Sequence, residues 1–127
     1  MAGMTIRRRK PTDAELEILA VLWDRGPSTV RDVAQTLGRD QAYTTILKLL
    51  QIMTEKRLVH RRESGRMHIY TAAGSRDRMQ RHLVRDLLQR AFRGSAAPLV
   101  LHALATGKAS PDELKEIRQL IEKHRRR

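Results

Sequence analysis

Tyr43, Thr44, Thr45, Lys48 and Gln51 bring a phenol, two hydroxyls, an ammonium and an amide into one short stretch, with Gln41 just ahead of them. At helical spacing Thr44, Lys48 and Gln51, with Glu55 beyond, share one side, and Ile46, Leu49, Leu50 and Met53 share the other. The polar set suits base edges and phosphates: lysine reaches guanine acceptors, and a threonine methyl meets the thymine methyl in a major groove. Gln51 lies further along and is placed for phosphate. Tyr43 has two readings, an anchor to a nucleic-acid backbone through its hydroxyl or a core position beside Trp23. An ordinary surface helix shows the same division of faces, so the surrounding elements must decide.

Those elements are marked by local signals. Thr12-Asp13-Ala14-Glu15 predicts a capping box and the start of a helix whose Leu16, Leu19, Ala20 and Trp23 recur at helical spacing, ending at Gly26-Pro27. Thr29-Val30-Arg31-Asp32 repeats the box and leads Val33, Ala34 and Leu37 into Gly38. A tight link then reaches the polar-faced helix, which is the spacing of a helix-turn-helix. Arg31 falls in the first turn of the second helix, where unpaired N–H groups favour phosphate. After Lys56-Arg57 the period becomes extended, and Leu58 to Arg62 and Met67 to Thr71 flank Gly65, a hairpin. A basic hairpin directly after such a helix reads as a wing, with Arg61, Arg62 and Arg66 straddling the backbone or entering the minor groove. A surface hairpin whose arginines only solvate it is the alternative.

The second half is helical throughout. Arg76 to Phe92 presents Met79, Leu83, Val84, Leu87, Leu88 and Ala91 inward, Pro98 to Ala105 is apolar apart from His102, and Ser110-Pro111-Asp112-Glu113 opens a last helix. The 98–105 run predicts burial on most sides. Three short helices cannot enclose a core of their own, so Leu87, Leu88, Leu99, Val100, Leu101, Leu104, Leu114, Ile117, Leu120 and Ile121 are expected to face the same segment of a second chain. Arg76, Arg78, Arg81, Arg85, Arg90 and Arg93 read as a solvated face, with direct DNA contact as the alternative. The architecture expected is mainly α: a winged helix-turn-helix of three helices plus a β-hairpin wing over 12–73, then a helical dimerisation domain over 74–124. A basic arm, 1–11, and a basic tail, 125–127, flank them and are expected to be disordered in the free protein.

Composition narrows the function. The 26 Lys plus Arg against 14 Asp plus Glu leave a formal charge of +12 on 127 residues, which points to a polyanion. Only 3% of residues are aromatic, too few for base-stacking platforms, so duplex DNA is favoured over single strands. The absence of cysteine excludes disulfides, thiolate metal sites and cysteine nucleophiles. The five histidines show no ligand spacing, no nucleophile–base pair or phosphate-cradling glycine loop stands out, and neither an enzyme nor a cofactor is expected. No apolar run suits a membrane span or a signal peptide, so a cytoplasmic protein is expected.

Ala42-Tyr43-Thr44-Thr45, Lys56-Arg57-Leu58-Val59, Gly65-Arg66 and Tyr70 resemble the bacterial penicillinase-repressor family, which includes methicillin-resistance and copper-responsive repressors. Glu15 to Leu19 with Trp23, Thr29 to Val33, and Pro98 to Leu101 extend the resemblance over nearly the whole chain. It implies a dimeric winged-helix repressor, hence a sequence-specific DNA-binding homodimer on a pseudo-palindromic operator, released by a signal acting on the C-terminal segment. A membrane sensor-protease is the further partner it implies. A non-specific architectural or RNA-associated basic protein is the alternative function. The chain departs from the family in having Ile52 for its usual arginine and Arg57 for its usual glycine, which implies the loss of a phosphate contact and of a glycine C-cap. The cysteine motif of the copper-responsive branch is missing, and His102-Ala103 stands where the antibiotic-responsive branch has its cleaved Asn-Phe bond.

Overall fold

A computed structural model describes residues 10–38 and 42–126, which form six α-helices and one antiparallel hairpin. Gln41, most of the basic arm and the final Arg127 lie outside the described residues, and so do the expectations placed on them. Two compact units divide the chain, Met1–Leu83 and Val84–Arg127.

In the first unit, α1 (Asp13–Arg25) starts at the predicted box: Thr12 Oγ1 accepts from Glu15 N–H at 3.2 Å, and Glu15 Oε1 accepts from Thr12 N–H at 2.8 Å. Gly26, at φ 89°, ends it. The second box opens α2 (Val30–Thr36), where Asp32 N–H donates to Thr29 Oγ1 at 3.1 Å and Thr29 N–H to Asp32 Oδ2 at 3.0 Å. Arg25 reaches across from the end of α1, its guanidinium 3.2 Å from Asp32 Oδ1 and donating to Thr36 Oγ1 at 3.2 Å. Two helices are thereby joined by three polar side chains.

Helix α3 (Tyr43–Glu55) buries Ile46, Leu50 and Met53, as its periodicity predicts, while Leu49 is half-buried at the stripe's edge. The buried stripe of α1 departs from expectation. Ile18, Leu19, Val21 and Leu22 are enclosed, whereas Leu16, Ala20 and Trp23 are half-buried on its flank. Apolar residues occur almost all round this helix, so its period alone left the inward direction undetermined. Val30, Val33 and Ala34 of α2, with Leu58, Val59 and Tyr70, complete a single core. Each such side chain contributes roughly 1.5–3 kcal/mol on burial.

Strands β1 (Val59–Ser64) and β2 (Met67–Ala72) pair in the register Val59↔Ala72 to Ser64↔Met67, closed by Gly65-Arg66 with Gly65 at φ 65°. The left-handed φ at the first central residue is what a two-residue hairpin turn needs. Ser28 adds an isolated antiparallel bridge on the other edge of β2, with Ser28 N–H to Tyr70 O at 3.0 Å and Tyr70 N–H to Ser28 O at 2.8 Å. The hairpin is therefore stitched to the α1–α2 connection, a link that local sequence did not indicate.

Helix α4 (Arg76–Phe92) follows, and the division between the two units falls within it, after Leu83. Its first turn is held to α1: Trp23 Nε1 donates to Gly74 O at 2.9 Å, the Arg76 guanidinium lies 5.6 Å from the Trp23 ring centroid and pairs with Asp24, and Met79 packs on the core. The second unit contains the rest of α4, then α5 (Ala96–Ala105) and α6 (Pro111–Arg125). Ser110 Oγ caps α6 by accepting from Glu113 N–H at 3.1 Å, with Pro111 at its first position. None of the described residues of this unit is buried within one chain. The expected enclosure of 98–105 is thus not provided by the chain itself, and Leu101 is 67% exposed. His102 lies against Phe92, with ring centroids 6.0 Å apart.

Candidate nucleic-acid interface

The candidate surface is built on α3. Its core-facing stripe, Ile46, Leu50 and Met53, fixes the rotation of the helix about its axis, so Thr44, Lys48 and Gln51 are turned outward and exposed. Tyr43 and Thr45 are exposed too. The choice left open for Tyr43 resolves to the surface, where it is 44% exposed. The indole of Trp23 instead spends its N–H on Gly74. Thirteen residues make a cylinder about 20 Å long and 10–12 Å across, which matches a major groove about 12 Å wide. Its first turn carries no acidic side chain, so no carboxylate within that turn offsets the positive end of the helix dipole.

Arg31 is exposed in the first turn of α2. Asp32 beside it is committed to the cap. The Thr29 N–H holds its carboxyl below the ordinary value of 3.8; partial desolvation opposes this, and the Thr29 side chain and the Arg25 guanidinium add to the lowering.

On the hairpin, Arg61, Arg62 and Arg66 are all exposed, but they do not form one surface. Arg61 pairs in register with Tyr70 and Arg62 with Ile69, so the two arginines stand on opposite faces of the ribbon. Arg61 shares its face with Val59 and Tyr70, which are buried, and Arg62 shares the other with His60 and Ser64. The period of two separates neighbours that sequence adjacency had grouped. Across the strands His68 Nε2 lies 3.7 Å from Glu63 Oε1.

The turn from α3 into the hairpin also corrects an expectation. Arg57, where a glycine C-cap was taken to be lost, adopts the glycine conformation at φ 64°. Arg57 N–H donates to Thr54 O at 3.1 Å and Leu58 N–H to Met53 O at 2.9 Å, the pair of bonds that defines a Schellman cap. The cap is present with a side chain in its strained position.

Two features escaped sequence reasoning. Glu15, assigned to its cap alone, is 1% exposed and accepts from Lys56 Nζ at 2.8 Å. The phenol oxygen of Tyr70 is buried with no hydrogen-bond partner. Neither has a local signature, because the Glu15–Lys56 contact and the burial of the Tyr70 phenol both arise only when distant elements pack together.

The residues assigned to a dimer surface divide by exposure within one chain. Leu87, Val100, Leu101, Leu114, Leu120 and Ile121 are exposed, and Leu88, Leu99, Leu104 and Ile117 are half-buried. Three of the six arginines expected on a solvated face pair with carboxylates, Arg76 with Asp24 of α1, Arg81 with Asp77 at 3.1 Å and Arg90 with Asp86 at 3.6 Å, and Arg78, Arg85 and Arg93 are exposed.

Residues 11–123 match the penicillinase repressor family. The chain is 25% identical over 118 residues to a penicillinase repressor of Bacillus licheniformis, covering 91% of this chain and 92% of that protein. It is 33% identical over 113 residues to the transcriptional regulator BlaI of Mycobacterium tuberculosis, covering 86% of this chain and 80% of that one. No helix among the described residues is long and apolar enough to cross a membrane.

Proposed function

The chain belongs to the penicillinase repressor family, and from that premise we propose that it is a DNA-binding transcriptional repressor rather than an enzyme, acting as a homodimer on a pseudo-palindromic operator. The observation that carries this reading is the outward polar face of α3, Thr44, Lys48 and Gln51, opposite a fully buried Ile46, Leu50 and Met53. Thr44, Thr45 and Lys48 make the base contacts. Tyr43, Gln41, Gln51 and Arg31 hold the backbone, and Arg61, Arg62 and Arg66 extend the grip from the hairpin.

The dimer reading is supported by the second unit, where α4 to α6 expose Leu87, Val100, Leu101, Leu114, Leu120 and Ile121 with no buried residue among those described. A second copy would cover these faces, and two-fold symmetry would set inverted half-sites ~10 or 20 base pairs apart. Release of DNA then requires a signal that parts the two copies, with α5 the element to disrupt. A membrane sensor-protease is the class of partner that would deliver it.

Selection from a random-sequence duplex library tests the reading. Enrichment of an inverted repeat, bound ~10³-fold or more tightly than scrambled DNA, is expected. Binding that falls steeply with salt but favours no sequence would instead establish a non-specific architectural protein.

A further inference from the structure

We propose that Glu15 and Lys56 are positioning residues for DNA reading: their buried contact sets the pose of α3 against α1 and so decides whether the helix can discriminate sequence. The proposal rests on the DNA-reading role assigned above to α3. Lys56 is the C-cap of α3, and Glu15 belongs to the first turn of α1, 41 positions away. Glu15 Oε1 receives both Lys56 Nζ, at 2.8 Å, and the Thr12 N–H, at 2.8 Å. The carboxylate is 1% exposed and the lysine side chain 27%. An oxygen already fixed by the cap of one helix is therefore the docking point for the end of another.

Stability does not require this arrangement. A buried ion pair gains little over well-packed apolar side chains of the same size, and its distinctive property is direction. Ile46, Leu50 and Met53 attach α3 to the core through apolar contacts, which set the face turned inward but have no direction of their own along the helix axis. Ala42, at its N-terminal end, supplies no side-chain cap. Among the described residues, the bond at Lys56 is a directional side-chain tie from the end of this helix to α1, and the next residue, Arg57, turns the chain at φ 64° straight into β1. One contact thus fixes the reading helix and the root of the hairpin together, and displacements of about 1 Å decide whether base-edge hydrogen bonds form.

Glu15→Gln/Lys56→Met in the full chain separates position from charge and fold. It removes one negative and one positive group, so net charge is unchanged, and glutamine preserves the capping box. The probes are the duplex most enriched by the parent chain from a random 40-base-pair library and a scrambled duplex of equal composition, at one salt concentration. We expect affinity for the enriched duplex to fall at least tenfold, affinity for the scrambled duplex to stay within twofold, and the thermal midpoint to stay within a few degrees. Lys56→Arg, which keeps an ion pair, should retain most of the discrimination.

Equal losses on both duplexes would make Lys56 a phosphate contact and overturn the proposal, as would unchanged discrimination. Glu15→Gln alone keeps an oxygen that can accept from Lys56 but removes the charge that holds it, and supplies the test if the double variant does not fold. It should reduce discrimination at least threefold, and parental discrimination there would overturn the proposal. Failure of the parent chain to enrich any sequence would remove the DNA-reading premise itself, an outcome distinct from all of these.

Discussion

Both units of this chain are built on well-formed helices, the first with a hairpin added and the second with helices alone, and they differ in what those helices rest on. In the first, α1, α2, α3 and the hairpin close over a core that takes in thirteen of the described hydrophobic side chains, Ile18, Leu50 and Tyr70 among them. In the second, α5 and α6 are as regular, and α6 has an N-cap and an N1 proline, yet no described residue is buried. Caps and periodicity are local and suffice to say where a helix begins and which side of it is apolar. Closing a core needs apolar faces from several directions, and the second unit does not supply them from one chain. The first unit carries its own stability, and the proposed dimer would supply that of the second.

The sharpest way to break this contrast is Leu101→Asp. It places an unpaired charge on the most exposed large apolar side chain of the second unit. Loss of the dimer should reduce affinity for the enriched duplex by roughly 10²–10⁴-fold, the gain that two linked heads hold over one. The melting of the first unit, followed by the fluorescence of Trp23, should not change. Sedimentation showing a dimer that binds as the parent does would sink both the interface and the route to release.

Leu50→Ala makes the opposite cut. At 0% exposure it leaves a cavity in the first unit, and the expected cost is about 2–5 kcal/mol in denaturant unfolding. Self-association should persist wherever the second unit is still folded. A loss below 1 kcal/mol would mean that α3 is not seated on this core.

Arg57→Gly should sharpen the contrast from the stabilising side. Glycine adopts φ 64° without the Cβ clash, and after allowing for its greater freedom when unfolded the gain should be about 0.5–1 kcal/mol, confined to the first unit. A lower melting temperature would show that the arginine side chain makes contacts worth more than the backbone strain.

The smallest effect is one of pH. The folded-state pKa of Asp32 lies below its ordinary value of 3.8, so its contribution is complete above that value and is lost as pH falls through the lowered one. Melting temperature of the first unit should therefore drop below about pH 4, and Asp32→Asn should flatten that dependence. An unchanged acid limb in Asp32→Asn would place the sensitivity elsewhere.

Much of the first unit was legible because its signals are short-range. The two Thr-x-x-acid boxes, Gly26, Gly38 and the Gly65 turn each act within four residues, and the buried side of α3 follows from spacing alone. The same rules misdirected α1, whose apolar residues surround the helix, and grouped Arg61 with Arg62 although a strand places them on opposite faces. Of the candidate interface, the exposure of Thr44, Thr45, Lys48 and Gln51 could be expected from the amphipathic pattern, whereas that of Tyr43, with a core position equally open to it, could not.

The sequence by itself determined the capped starts of α1, α2 and α6, the apolar side of α3, the hairpin and the strong positive charge, since all of these depend on composition or on residues a few positions apart. Only the tertiary structure decided that Ser28 borders β2, that Trp23 holds Gly74, that Glu15 receives Lys56 and that Arg57 occupies a left-handed cap. The first three join residues 41 or more positions apart. Partners at that distance leave no period in the sequence, and a bond between them exists only once the core has brought their helices together. The conformation of Arg57 was likewise settled by the closing of α3 onto β1, which imposes on an arginine the backbone that glycine would take unforced.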